Sequence, residues 1–454
     1  MPFARPLPLP DSAALSRLEL GQFDTGSAPK PVPPSWSQIH LPADQYLHRG
    51  APTEWWWHIG TLKTEDGRIF GFEINAASFQ DRGIGFTQIM LTDVANEKHY
   101  QRTTWFVPPQ GFDPQGWAEH DPTKDWHVAM GSAGNCLSVI DVTAQGENYS
   151  ALSVVEITGG GGSQGAAYPV IENGQVKQIL LVNPGRGYTS APVIKITDLS
   201  GTGSGAKAQA VHSYVTMDAA WGDPTQNMAV TALLNDVKTG TGVHFDLMMS
   251  QQGAPFLVLG AGILPLKLPG QGTHLQTNNY YYSLTRLQTK GTITLNGESF
   301  AVSGMTWMDH EYGLFGSAAK PVRWILQDMQ LDNGWCISNF SFPPSEGGLD
   351  EGQATKGYAT LQAPDGAIYV ALNTTTTLLN KWQSPDSGIT YFLELKVEIA
   401  DFEACITVTS LVAAQELYQT TGSVYEGVAG AVGTFQGQKV TGTAWNEQAM
   451  PQPQ

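Results

Sequence analysis

Short apolar and aromatic runs alternate with polar residues along most of the chain, and Gly, Asp and Asn punctuate them. Glu54–Thr61, Ile69–Ala77 and Gly85–Thr92 are the first three, parted by turn signals such as Glu65-Asp66-Gly67. A period of two buries one face of an extended segment, so each run predicts a strand. The pattern resumes at Met228–Leu234, Gly242–Ser250, Tyr280–Leu287, Lys290–Leu295 and Glu298–Val302. It then continues through 305–313 and, in a second half beginning near 320, through Val322–Leu331, Gly334–Phe342, Gly357–Gln362, Ile368–Leu372, Tyr391–Val397, Cys405–Leu411 and Thr434–Thr441. Short strands at this spacing predict an all-β sandwich or barrel. Only Asp11–Leu20 reads as a short helix, capped by Asp11 or Ser12.

Residues 145–222 break the pattern with a Gly/Ala/Ser/Thr-rich composition and an internal echo. Val155–Thr158, followed by Gly159–Gly162 and Gly165-Ala166-Ala167, returns as Ile194–Thr197, followed by Ser200–Gly203 and Gly205-Ala206-Lys207, an offset of 39–41 residues. The stretch between them, Asn183-Pro184-Gly185-Arg186-Gly187-Tyr188-Thr189-Ser190-Ala191-Pro192, resembles a small β-repeat of phage tail and bacterial surface proteins. The expectation is a Gly-rich β insert at 145–222 that serves as a contact with another protein or glycan, as a lid, or as a contact in a homo-oligomer. It would split a first β domain into 51–144 and 223–318, with a second at 319–454 and a Pro-rich extended arm at 1–50. A length of 454 residues accommodates these units at about 100–200 residues each.

Charge narrows the function. With 24 Lys+Arg against 41 Asp+Glu the net charge is −17, which opposes nonspecific contact with nucleic acid or anionic membranes. No apolar run is long enough for a membrane-spanning helix. Prolines at 2, 6, 8 and 10 preclude a helical signal core, so the expected location is cytoplasmic. Three scattered Cys make neither a disulfide framework nor a zinc site. No dinucleotide fingerprint, P-loop, Gly-x-Ser-x-Gly elbow or His-Glu-x-x-His is present, and no metal or other cofactor is expected.

Two stretches carry candidate chemistry. In Glu54-Trp55-Trp56-Trp57-His58-Ile59-Gly60, strand alternation sends Trp55 and Trp57 to one face and Glu54 and Trp56 to the other. These tryptophans either fill a core or wall a ligand. In Thr306-Trp307-Met308-Asp309-His310-Glu311-Tyr312-Gly313, Trp307, Asp309 and Glu311 share a face, and Met308, His310 and Tyr312 the other. Asp309, His310 and Glu311 are metal-ligand types, but neighbours on a strand point apart. A carboxyl group buried among indoles has a raised pKa and can act as a general acid near neutral pH. The competing reading braces these acids against backbone N–H groups, or against Arg286 or Arg323.

The two stretches, with Tyr281-Tyr282-Ser283-Leu284-Thr285-Arg286-Leu287 between them, resemble the lipocalin-like family of carotenoid 1,2-hydratase, AttH-like proteins and kievitone hydratase. Trp382–Pro385, Gln415-Glu416, Tyr425–Gly427 and Val440–Gly442 add to the likeness, which spans roughly 45–450 apart from the insert. It implies two tandem lipocalin-like β-barrels around a hydrophobic small-molecule site. It also implies acid/base chemistry, without a cofactor, on a carbon–carbon double bond of an isoprenoid- or polyketide-like molecule: hydration or proton-initiated cyclisation. Asp309 would donate the proton beside Trp307. Tyr280 or Tyr282 would stand upstream, where the carotenoid enzyme has His. His310 or Glu311 would activate water. Trp55, Trp56, Trp57, Glu54, Tyr280, Tyr312 and Trp324 would contact the substrate. The alternatives are a pericyclic cyclase and a non-catalytic carrier of hydrophobic ligands.

Overall fold

A computed structural model describes residues 29–80, 83–106, 125–131, 137–211, 213–219, 222–315, 323–344, 348–418 and 423–450. The fold is all-β; among these residues there is no α-helix, and none long and apolar enough to cross a membrane. The Asp11–Leu20 helix expectation lies outside the described residues.

Two large antiparallel sheets carry the molecule. The first has twelve strands and joins the early hairpins to the late ones. Thr53–Lys63 pairs on one side with Ile69–Phe79 and on the other with Glu298–Gly313, which pairs in turn with Asn279–Leu295. The sheet curls, so that Met228–Asn235 approaches Ile84–Asp93 and Lys98–Phe106. The second sheet closes into an eight-strand barrel because Ala404–Ser410 pairs with both Thr390–Ile399 and Val424–Phe435. Closure removes the exposed edges of a barrel.

Residues 139–211 form two small sheets of four and two strands. Their glycines have a packing reason. A Cβ on Gly162 would lie 2.4 Å from the Tyr188 ring, and one on Gly203 would lie 2.8 Å from Tyr149. Tyr149 and Tyr188 stand 39 residues apart, matching the sequence echo.

One expected strand is corrected. Thr434–Thr441 is a hairpin, Val424–Phe435 turning into Gln438–Ala449. Gln436 and Gly437 both take positive φ (51° and 72°), the backbone of a tight two-residue turn. The described end of the Pro-rich segment is packed rather than extended into solvent. Tyr46 and Leu47 are 1 % exposed and Gln45 is fully buried. The segment also ties the sheets together: Val32 N donates to Ile368 O (2.7 Å) and Gln38 N to Ala261 O (2.8 Å).

Apolar packing continues between the two sheets. Ile59, Phe256, Leu259, Tyr281 and Trp307 of the first meet Leu326, Phe340, Tyr358, Val428 and Trp445 of the second. The approach is close: a Cβ on Gly71 would sit 2.4 Å from Val428. The strand Glu298–Gly313, hereafter the central strand, thus has one face inside the first sheet's curl and the other at the interface.

Candidate functional site

At the interface the central strand presents Trp307, Asp309 and Glu311. Register places Ser283 and Trp57 on either side of Asp309, and Tyr281 and Trp55 on either side of Glu311. Asp309 is 3 % exposed. Its Oδ1 accepts from Ser283 Oγ (2.5 Å) and Trp307 Nε1 (2.8 Å). Glu311 accepts from Asn279 Nδ2. Glu73 joins them from the next strand, with neither carboxyl oxygen hydrogen-bonded. The second sheet contributes Asp328, Glu426 and Glu447, the last two paired with its own tryptophans: Trp324 Nε1 donates to Glu447 (2.5 Å) and Trp445 Nε1 to Glu426 (2.7 Å). Among the described residues, the buried indole N–H groups of Trp55 and Trp57 have no acceptor. Trp307, Asp328 and Trp445 help to line a cavity of about 20 Å³, room for one water.

Six buried carboxyl groups therefore meet around indoles. Among the described residues, no ion pair includes any of them. Arg286 is occupied elsewhere, donating to the carbonyls of Gly334 (2.6 Å) and Ala363 (3.1 Å). Burial disfavours the charged form, and neutral donors compensate only in part. Burial raises Asp309 to about 6, against the bonds from Ser283, Trp307 and Tyr281. Burial lifts Glu447 to about 8 against the Trp324 bond, with the Asp309 charge adding to the rise. Glu73, Glu311, Asp328 and Glu426 are pushed well above the carboxylate range, by burial first and by neighbouring acids after it.

The opposite face of the central strand looks into the first sheet's curl. There His310 Nε2 lies 3.1 Å from Glu54 Oε1, and His310 Nδ1 lies 2.9 Å from Tyr282 Oη. His48, from the segment before the first strand, places Nδ1 2.8 Å from the same Glu54 oxygen and Nε2 3.4 Å from Asp44 Oδ1. Tyr282 donates to Gln45 Oε1. Trp56 stacks on His310, and Tyr312 lies flat between His48 and Tyr280. Burial alone would raise Glu54, but the two histidines hold it below its ordinary value. Burial likewise opposes charge on His48, yet Glu54 and Asp44 hold it up to about 9.

The AttH-like family model matches residues 200–447, more than half of the chain. The chain belongs to the AttH-like family. No curated protein matches the sequence. Among solved structures, a protein described as a putative AttH from Nitrosomonas europaea aligns over 93 % of this chain and 100 % of its own, at 17 % identity and a TM-score of 0.54. Kievitone hydratase from Nectria haematococca aligns over 94 % and 98 %, at 13 % identity and a TM-score of 0.53. At such identities the likeness is one of fold.

In this AttH-like chain the residues singled out from sequence fall into two groups. Trp55, Trp57, Trp307, Asp309, Glu311 and Trp324 stand at the interface. Glu54, Trp56, Tyr280, Tyr282, His310 and Tyr312 stand on the first sheet's inner side. Of the candidate acid and its neighbours, Asp309, Glu311 and Trp307 are brought together, while His310 and Tyr282 point the other way. The upstream residues that reach Asp309 are Tyr281 and Ser283, not Tyr280 or Tyr282. Parity across the hairpin could have shown this had the register been legible. Asp328, Glu447, Glu73, His48 and Asp44 went unnoticed because none lies in a motif, and Glu426 lies in a stretch, Tyr425–Gly427, that carried the likeness but no assigned role.

Proposed function

We propose that this AttH-like chain is an enzyme that protonates a carbon–carbon double bond of an apolar isoprenoid- or polyketide-like molecule at the interface between the two sheets, with Asp309 as the acid. One observation carries the reading. Asp309 is buried among five more buried carboxyl groups and accepts from the neutral donors Ser283 and Trp307, and burial holds its pKa up at about 6. One protein that shares this fold is, by its name, a hydratase.

Proton transfer from Asp309 to one alkene carbon leaves a carbocation at the other and a carboxylate behind. The faces of Trp57, Trp307 and Trp445 offer cation–π stabilisation of about 0.5–2 kcal/mol each, and a dry site strengthens it. A water of the size the adjoining cavity admits then adds to the cation. Its surplus proton returns to the Asp309 carboxylate, which restores the acid and yields an alcohol. Attack by a second alkene of the same molecule closes a ring instead, and loss of a proton to Asp309 ends that reaction. Seating an apolar substrate parts the two tryptophan-lined faces, since the hollow between them is water-sized.

The test is a panel of terpenoid and prenylated polyphenol alkenes incubated with the full chain in ¹⁸O-water and read by mass spectrometry. Uptake of ¹⁸O marks hydration; an unlabelled isomer marks cyclisation. Asp309→Asn should lose both. Full turnover in a folded Asp309→Asn variant would leave the acids a bracing role and favour a pericyclic cyclase.

A further inference from the structure

The inner network has a property that neither the interface chemistry nor the sequence motifs anticipate. Tyr282 has one hydroxyl proton, and the oxygens around it that only accept are Gln45 Oε1 and, at 3.3 Å, the carbonyl of Asp44. In one tautomer His310 Nδ1, 2.9 Å from the same hydroxyl, supplies its own proton to Tyr282. That leaves Nε2 as the lone-pair nitrogen, aimed at Glu54 Oε1. His48 repeats the arrangement: Nε2 faces the Asp44 carboxylate as a donor, and Nδ1 is turned to the same Glu54 oxygen. Without an ion, a proton on His48 Nδ1 joins it to Glu54; shed on metal binding, as a ligating imidazole must shed it, it leaves two imidazole lone pairs and a carboxylate oxygen converging.

We infer that His48, Glu54 and His310 form a binding site for one divalent first-row transition-metal ion, with Zn²⁺ the best-matched ion. Their ligand atoms all lie within 4.8 Å of one another. The two N···O separations, 2.8 and 3.1 Å, match the spacing of neighbouring ligands. Metal bonds of about 2.0–2.2 Å place adjacent ligand atoms roughly 2.8–3.5 Å apart. Two imidazoles with one carboxylate suit zinc, iron and cobalt better than calcium or magnesium. The outer shell is also built. Each histidine's far nitrogen is held, one by Asp44 and one by Tyr282, and Glu54 Oε2 accepts from His48 N (2.9 Å), which orients Oε1 inward. Asp44 and Glu54 together balance the charge of a dication. The ion would pin the segment before the first strand onto the sheet, a stabilising role independent of Asp309 on the opposite face.

The experiment uses the full-length chain, stripped with a chelator, dialysed and titrated with Co²⁺, with visible ligand-field absorption and metal content as readouts and Zn²⁺ as competitor. One Co²⁺ per chain is expected, displaced by Zn²⁺, with a rise in Tm when Zn²⁺ is present. His48→Ala and Glu54→Gln should lose stoichiometric binding, and Asp44→Asn should weaken it about 10–100-fold. Asp309→Asn should bind as the parent does, which separates this site from the interface reading. A folded parent chain that takes up no Co²⁺ overturns the site and leaves Glu54 bridged by protons. Uptake that survives His48→Ala overturns it as well.

Discussion

Glu54 and Glu311 sit one strand apart, both buried and facing opposite ways, and their pKa values are pushed in opposite directions. Glu54 meets two histidines and stays ionised. Glu311 meets an amide and more acids and is pushed toward its protonated form. Burial of the two is alike, so burial does not set the outcome; the partners do. The inner face is a satisfied network that fixes one geometry. The interface is a set of carboxyl groups that retain protons, the property a general acid needs. One strand can serve both because its side chains alternate.

The comparison can be broken from either side. The largest effect is expected from Asp309→Asn, a loss of turnover of about 10²–10⁴-fold, measured on an alkene that the parent converts, with circular dichroism confirming the fold. On the inner face, Glu54→Gln strands the His48 charge in a buried site. Breaking such a pair costs about 3–5 kcal/mol, to be read from urea unfolding; a loss below 1 kcal/mol would show that His48 is not held charged by Glu54.

The pH dependence of stability separates the faces further. A carboxyl group whose folded pKa is raised binds more protons folded than unfolded, so stability falls as pH climbs from the unfolded to the folded pKa. For Glu447 that window runs from its ordinary 4.5 to about 8. Glu447→Gln should flatten the decline across it in unfolding curves recorded at several pH values. Glu54 has the opposite sign: its contribution is present above 4.5 and lost as pH drops below. His48, raised from 6.5 to about 9, contributes fully below 6.5 and loses that contribution as pH rises through 9. The smallest effect is Ser283→Ala. Removing a donor to the carboxylate moves Asp309 upward from about 6, and the alkaline limb of the pH–rate profile should follow to higher pH.

Alternation along the chain was enough to predict an all-β protein, to place most strands, and to divide Trp307, Asp309 and Glu311 from His310 and Tyr312. Each of those conclusions rests on a local period that any extended backbone obeys. The hairpin at Gln436-Gly437 escaped because neither residue interrupts the apolar pattern strongly, although the backbone there turns through positive φ. What each face of the central strand meets was decided by tertiary structure alone. His310 reaches Glu54 across 256 positions, and His48 joins them from a segment whose composition suggested only an extended arm. Asp328, Glu426 and Glu447 come from strands of the other barrel, where no sequence feature marked them as partners of Asp309. A period of two reports which side a residue takes. Only the closing and packing of sheets determines whether that side meets a histidine that ionises an acid or a tryptophan that leaves it protonated.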